Sequence, residues 1–261
     1  MNNLINITNC KNCGQQIESH NFCPDCGAKK ITKRITFKNL ISEFVDRFLN
    51  LDNSFIKTFT HLFTKPEEVI DGYIHGLRKR YVNAFGYFAI TITITGFYSF
   101  IVKDRLKEIM QFDDNFTAQQ AEIQSSIFDT TTQYQSMLSF LMIPLLAMLS
   151  RLVFLNYKKY NLTEHFVIYL YGYSHIVGVM TFVLLPLTFM VDSFMIVGLI
   201  QFPVYIVYMA YVLKRLYQIS LKKILIKTLL FLIYGGILYI IIGLVIFLLL
   251  VLSGKVEIPT K

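Results

Sequence analysis

The chain is 261 residues long, 54% hydrophobic and only 16% charged, with a formal net charge of +8 and no tryptophan. Length alone suits one or two soluble domains, but the apolar residues concentrate after residue 81 in runs long enough to cross a bilayer, which excludes an ordinary soluble protein. The basic excess does not point to nucleic acid: it is spread between apolar runs, and the N-terminal segment has one aromatic, Phe22, too little for a stacking platform.

In chain order, the first motif is Cys10-Lys11-Asn12-Cys13-Gly14 followed by Cys23-Pro24-Asp25-Cys26-Gly27, which together use all four cysteines of the protein. Each CxxCG turn brings two sulfurs to one ion, and two such turns complete the closed tetrahedral sulfur shell of structural Zn2+. Cys10, Cys13, Cys23 and Cys26 are the expected ligands, with His20 between them as an alternative fourth. Two disulfides of an extracellular knot are disfavoured because no secretory signal pattern precedes the motif. A redox dithiol is disfavoured because no βαβ context surrounds it. So small a segment, residues 1–30, depends on its metal to fold.

Residues 31–81 read as a basic linker and amphipathic helices on the cytoplasmic side. Phe37, Leu40, Ile41, Phe44, Phe48, Leu51, Phe55, Phe59, Leu62 and Phe63 recur at steps of three and four, with an interruption near Asp52-Asn53-Ser54. That stripe either lies in the headgroup layer or packs on the bundle or a second subunit. Thr64 and Glu67 have the spacing of a capping box and Pro66 suits a first turn, so a short helix is expected to His75, broken at Gly76. Arg78, Lys79, Arg80 and Tyr81 then meet the bilayer as a lipid-headgroup cluster or a topology anchor.

Residues 82–261 are expected to form a five-span domain: Val82–Val102, Gln135–Leu155, Phe166–Met190, Phe194–Leu213 and Ile224–Leu252. Twelve lysines and arginines precede the first span. Others follow the second (Arg151, Lys158, Lys159) and the fourth (Lys214, Arg215, Lys222, Lys223, Lys227). The loop after the first span carries three bases against six acids, and the loop after the third has no base. By the positive-inside rule the N-terminus is cytoplasmic and the C-terminus outside, as a thiolate metal site also requires. The fold class is thus an all-α integral membrane helical bundle with a small N-terminal four-cysteine zinc ribbon, placed in the bacterial inner membrane.

The polar residues opening the third span are the candidate ligand-binding set: Glu164, His165, Tyr171 and His175. Glu164, Ile168, Tyr171 and His175 fall on nearly one helical face, and ionisable groups at membrane depth usually face a bundle interior. In the first span Thr91, Thr93, Thr95, Gly96 and Ser99 read as packing groups, as does Ser174-x-x-x-Gly178. HExxH, GxSxG, a phosphate loop and a dinucleotide fingerprint are all missing, so no catalytic residue is assigned.

The order of features, from the CxxCG and FCPxCG turns through Thr58–Pro66 and Gly72–Phe85 to Glu164-His165, resembles the bacterial membrane family catalogued as domain of unknown function 3667. The resemblance implies this architecture and brings no activity. The family tends to carry proline where Ala84 stands and histidines near Tyr171 and Tyr173, so any metal or proton chemistry of those histidines is lost here. The leading expectation is a membrane anchor or scaffold with the ribbon as a cytoplasmic interaction or regulatory module. Its partners are membrane lipids, a cytoplasmic protein and, for a homo-oligomer, a second copy. The alternative is a carrier or channel for a small solute or lipid, its path lined by His175, Tyr171 and the first-span threonines. An intramembrane enzyme using Glu164 and His165 ranks below both.

Overall fold

The computed structural model describes residues 9–10, 12–17, 21–28, 54–78, 80–109 and 118–252. The chain divides into two compact units, Met1–Leu51 and Asp52–Lys261, and each is described by itself.

In the first unit the two CxxCG turns repeat one backbone pattern. The Cys10 amide donates to the Gln15 carbonyl and the Gly14 amide to the Cys10 carbonyl; Cys23, Ala28 and Gly27 reproduce both bonds. Gly14 and Gly27 sit at φ +78° and +70°, left-handed backbone that only glycine adopts without strain, so each turn can close. Cys10, Ile17 and Cys23 pack together against Ala28 as a small buried cluster.

The second unit is all helical among its described residues: α1 (Ser54–Thr64), α2 (Pro66–Ile74), α3 (Ala84–Ile109), α4 (Ala118–Gln133), α5 (Gln135–Val153), α6 (Leu162–Met190), α7 (Phe194–Tyr217) and α8 (Leu221–Leu252). Among the described residues four stretches are long and apolar enough to cross a membrane: Ala84–Ile109, Leu162–Met190, Met195–Tyr217 and Leu221–Val245. The expected span at 135–155 is α5, only 19 residues long, and it meets α4 at an 83° bend; counting that pair as one span makes five.

Side-chain pairs fix the sense of each helix. Tyr87 meets His175, Thr95 meets Thr181 and Tyr98 meets Thr188, so α3 and α6 run parallel. Ser150 and Tyr217 both reach His165, while Ser139 and Tyr205 both meet Tyr173, so α5 and α7 run against α6. Lys227 reaches the Val153 carbonyl while Gly235 abuts Leu149, which sets α8 antiparallel to α5. Up-down alternation therefore gathers the starts of α3, α6 and α8 with the ends of α5 and α7. Arg80, Arg151, Lys158, Lys159, Lys214, Arg215, Lys222 and Lys223 all belong to this end. Close packing supports the core: Gly178 faces Thr91, and a Cβ on Gly172 would come within 2.8 Å of the Met209 sulfur.

At the same end α1 and α2 dock onto the bundle. Thr58 and Leu62 are buried, and the α1 terminal carbonyls of Leu62 and Phe63 accept bonds from the Tyr208 and Tyr211 hydroxyls of α7. These tyrosines satisfy carbonyls that a helix end leaves without partners. The apolar stripe from Phe55 onward thus packs on the bundle; its part from Phe37 to Leu51 lies outside the described residues. Pro66 opens α2 and Gly76, at φ +99°, ends the following turn. The expected Thr64–Glu67 capping box does not form. Only Lys65 separates the two helices, so Thr64 stays in α1 and donates to the Thr60 carbonyl, while Glu67 pairs with Arg215.

Candidate functional site

The four cysteines are free thiols whose sulfurs all lie within 4.8 Å of one another and could hold one metal ion. Cys10 and Cys26 approach to 3.5 Å, as do Cys13 and Cys23, so sulfurs of the two turns meet across the cluster. Sulfurs bound at about 2.3 Å around a tetrahedral ion stand about 3.8 Å apart, and this cluster brackets that spacing. The Ala28 amide, the Asn12 side chain and Cys13 all stabilise the Cys26 thiolate, lowering its pKa to about 6. Cys13 moves the opposite way, to about 12: the Gln15 amide alone would favour its thiolate, but proton sharing with Cys26, desolvation and its bonds to Cys23 and Cys10 outweigh that amide. These contacts favour the thiolate at Cys26 over Cys13, and the donor set is the soft tetrahedral kind. His20 lies outside the described residues.

The four third-span candidates do not converge on a common space. Glu164 is half-buried and caps α6: the Asn161 side chain accepts from the Glu164 amide at 2.9 Å and Glu164 accepts from the Asn161 amide at 2.7 Å. His165 is fully buried with both ring nitrogens engaged, Nδ1 by Ser150 at 3.1 Å and Nε2 by Tyr217 at 2.8 Å. The Tyr171 hydroxyl donates to the Val82 carbonyl at 2.7 Å, so it does not link Glu164 to His175. His175 Nδ1 meets the Tyr87 hydroxyl at 2.7 Å; its buried Nε2 has no hydrogen-bond partner. The Phe63, Phe59 and Tyr208 rings surround it at 4.3, 5.0 and 5.4 Å between centroids.

Between α3, α5 and α6, the space lined by Thr91, Thr95, Gly96 and Tyr173 measures about 10 Å³, room for about one water. A larger cleft of about 350 Å³ opens on another face of α6, lined by Tyr169 and Tyr173 with residues of α5, α7 and α8; none of the four candidates lines it.

The expected headgroup cluster divides. Tyr81 is buried, and its hydroxyl meets His61 at 2.8 Å and Glu68 at 3.5 Å. It is therefore a packing residue rather than part of an interfacial belt. Arg80 sits 3.8 Å from Glu68, Arg78 lies over the Tyr73 ring, and Lys79 falls outside the described residues. Glu68 also binds Lys65 at 3.1 Å, and this hydrogen bond chiefly holds its carboxyl below the usual range. His61 thus stands within a cluster of Tyr81, Glu68 and Arg80.

Sequence reading also missed the second polar tie. Tyr160 donates to Asp71 at 2.6 Å, Lys159 reaches Asp71 at 3.3 Å and the Leu216 carbonyl at 2.6 Å, and Arg215 forks onto Glu67. Their only signal was a Tyr and a Lys before a capping Asn.

Residues 52–96 match the family model described as protein of unknown function (DUF3667). The matched segment holds α1, α2, the Arg78–Tyr81 turn and the first half of α3, so the resemblance read from the sequence holds there; the cysteine segment lies outside it. No curated protein and no solved structure matches the chain.

Proposed function

We propose that this is a multi-pass protein of the bacterial inner membrane whose four-cysteine segment is a structural zinc ribbon. The ribbon serves as a cytoplasmic interaction or regulatory module, and the helical bundle is its anchor and scaffold. The observation that carries the reading is the sulfur cluster itself. Four thiols at tetrahedral spacing leave no open position for a water or substrate, which favours a folding role for Zn2+ over catalysis. Cys10, Cys13, Cys23 and Cys26 would hold the ion, and the bound ion supplies the stability a segment this small lacks. Phe22, beside Cys23 and 56% exposed, offers the ribbon an aromatic contact for a protein partner.

Two features support the orientation. Thiolate sites persist in reducing compartments, and the bases gather at the bundle end from which α3, α6 and α8 depart. That alternation, with α5 counted, puts the C-terminus on the far side. The carrier reading has less behind it, because the threonine-lined space admits about one water and Tyr171 is tied to backbone.

The cysteine inventory makes the test direct. A membrane-impermeant maleimide applied to intact cells should leave the protein unlabelled. On inverted membrane vesicles it should label after zinc chelation and not before. Labelling of intact cells would overturn the orientation, and labelling of vesicles without chelation would overturn the metal assignment. A photo-crosslinker at Phe22 should trap a cytoplasmic protein in cells. If it traps none, while the chain is inserted and loaded with zinc, the module role fails.

A further inference from the structure

The cleft of about 350 Å³ between α5, α6, α7 and α8 has a composition that the anchor role leaves unexplained. Its walls are apolar, from Leu146 on α5 through Met209 and Ala210 on α7 to Phe231 on α8, and its size is that of a ligand site. Among the residues that line it, one is charged: Lys227, in the second turn of α8 at the base-rich end. Its ammonium donates to the Val153 carbonyl at 2.6 Å and the Asn156 side chain at 2.8 Å, and lies 5.5 Å from the Phe154 and Tyr157 ring centres. Among the described residues no carboxylate forms an ion pair with it. A half-buried cation beside apolar walls, its other partners all neutral, leaves positive charge that no carboxylate among the described residues compensates.

We propose that this cleft is a site for an anionic phospholipid, one acyl chain lying against Met209, Ala210 and Phe231 and the phosphate resting on Lys227. The occupant follows from two properties together. The walls bordered by Phe202, 68% exposed, and Leu232, 44% exposed, open toward the hydrocarbon, so the apolar part enters from the bilayer. The lysine stands at the end where Arg151, Lys158, Lys222 and Lys223 favour anionic headgroups over zwitterionic ones. Uncharged lipid would fill the walls and leave Lys227 unpaired; a free anion would meet Lys227 and leave the walls empty. Neither the cysteine site nor the buried histidines take part.

Native mass spectrometry of the full chain, reconstituted with phosphatidylglycerol and phosphatidylcholine of identical chains, reads the occupant directly. Wild type is expected to retain one phosphatidylglycerol through delipidating washes, preferred about fivefold over phosphatidylcholine, the ratio for roughly one basic contact. Lys227→Gln should erase that preference, lowering phosphatidylglycerol retention more than phosphatidylcholine retention. Ala210→Trp, which fills the cleft from another helix, should lower retention of both lipids, so the proposal survives a misfolded Lys227→Gln. Equal retention of the two lipids by wild type overturns it. So does displacement of the lipid by inorganic phosphate alone, or a lipid-free dimer as the stable species, which would put a second copy in the cleft.

Discussion

The Tyr160 hydroxyl donates to the Asp71 carboxylate at 2.6 Å, joining the chain just before α6 to the short helix α2. Burial, with the Asp71 carboxylate beside it, pushes the Tyr160 pKa upward, so the phenol stays a donor. The same hydroxyl lies 3.3 Å from the Leu216 carbonyl at the end of α7. One side chain thus closes a triangle of three segments. Tyr160→Phe is expected to cost about 1–2 kcal/mol and to speed tryptic cleavage at Arg78 and Arg80. Asp71→Asn keeps an acceptor and loses mainly the half-exposed pair with Lys159, so its effect should be smaller. Equal proteolysis of Tyr160→Phe and wild type would show that α2 docks without this bond.

The cysteine cluster predicts a separable defect. Cys23→Ser should reduce bound zinc from one equivalent to near none and unfold the ribbon, because three thiolates leave an open, weak site. Membrane insertion and the thermal stability of Asp52–Lys261 should not change, since that unit has its own core. Elemental analysis with a melting curve checks both halves, and full zinc content in the variant would refute the four-sulfur assignment.

Glu68 predicts an acid-side effect. Its hydrogen bond from Lys65, aided by the charges of Lys65 and Arg80, lowers its folded pKa below that of an unfolded chain. A carboxyl depressed in this way stabilises the fold fully above its unfolded pKa, about 4.3, and loses that contribution as pH falls through the folded value. Wild type should therefore exceed Glu68→Gln in denaturation midpoint at pH 7, and the gap should close as pH falls through the lowered folded value. A gap that persists in acid would mean that shape, not charge, is what Glu68 contributes.

What the sequence disclosed and what it withheld divide by distance along the chain. The cysteine turns, the apolar runs, Pro66 and Gly76 are local patterns, and the structure keeps each of them. The shared face of Ile168, Tyr171 and His175 followed from helical period, and all three are buried. Their partners did not follow, because Val82 and Tyr87 lie almost ninety residues upstream. Thr64-x-x-Glu67 and Asn161-x-x-Glu164 carry the same four-residue signal, yet only the second caps a helix. The first has another helix immediately before it, and one intervening residue leaves no room for an extended cap. Glu164 was legible as the acid of a capping box; its neighbour His165 drew the reading toward ligand chemistry.

The Tyr87–His175 pair is the sharpest test of whether the intramembrane histidine is structural. The Tyr87 hydroxyl and His175 Nδ1 share one hydrogen bond, whose direction follows the histidine tautomer, while the buried Nε2 has no hydrogen-bond partner. The Phe63 and Phe59 rings pack on the imidazole at 4.3 and 5.0 Å between centroids, both steeply inclined to it. If that arrangement exists for packing, His175→Phe strands the Tyr87 hydroxyl, Tyr87→Phe strands Nδ1, and the double variant removes both orphaned groups. The cycle should then show a coupling of about 0.6–1.7 kcal/mol, the range found for hydrogen bonds between membrane helices. Stability of the two single variants and the double variant in bilayers measures it. Additive losses would mean that the bond carries no net weight, and the aromatic enclosure of His175 would need a reason other than holding α3 against α6.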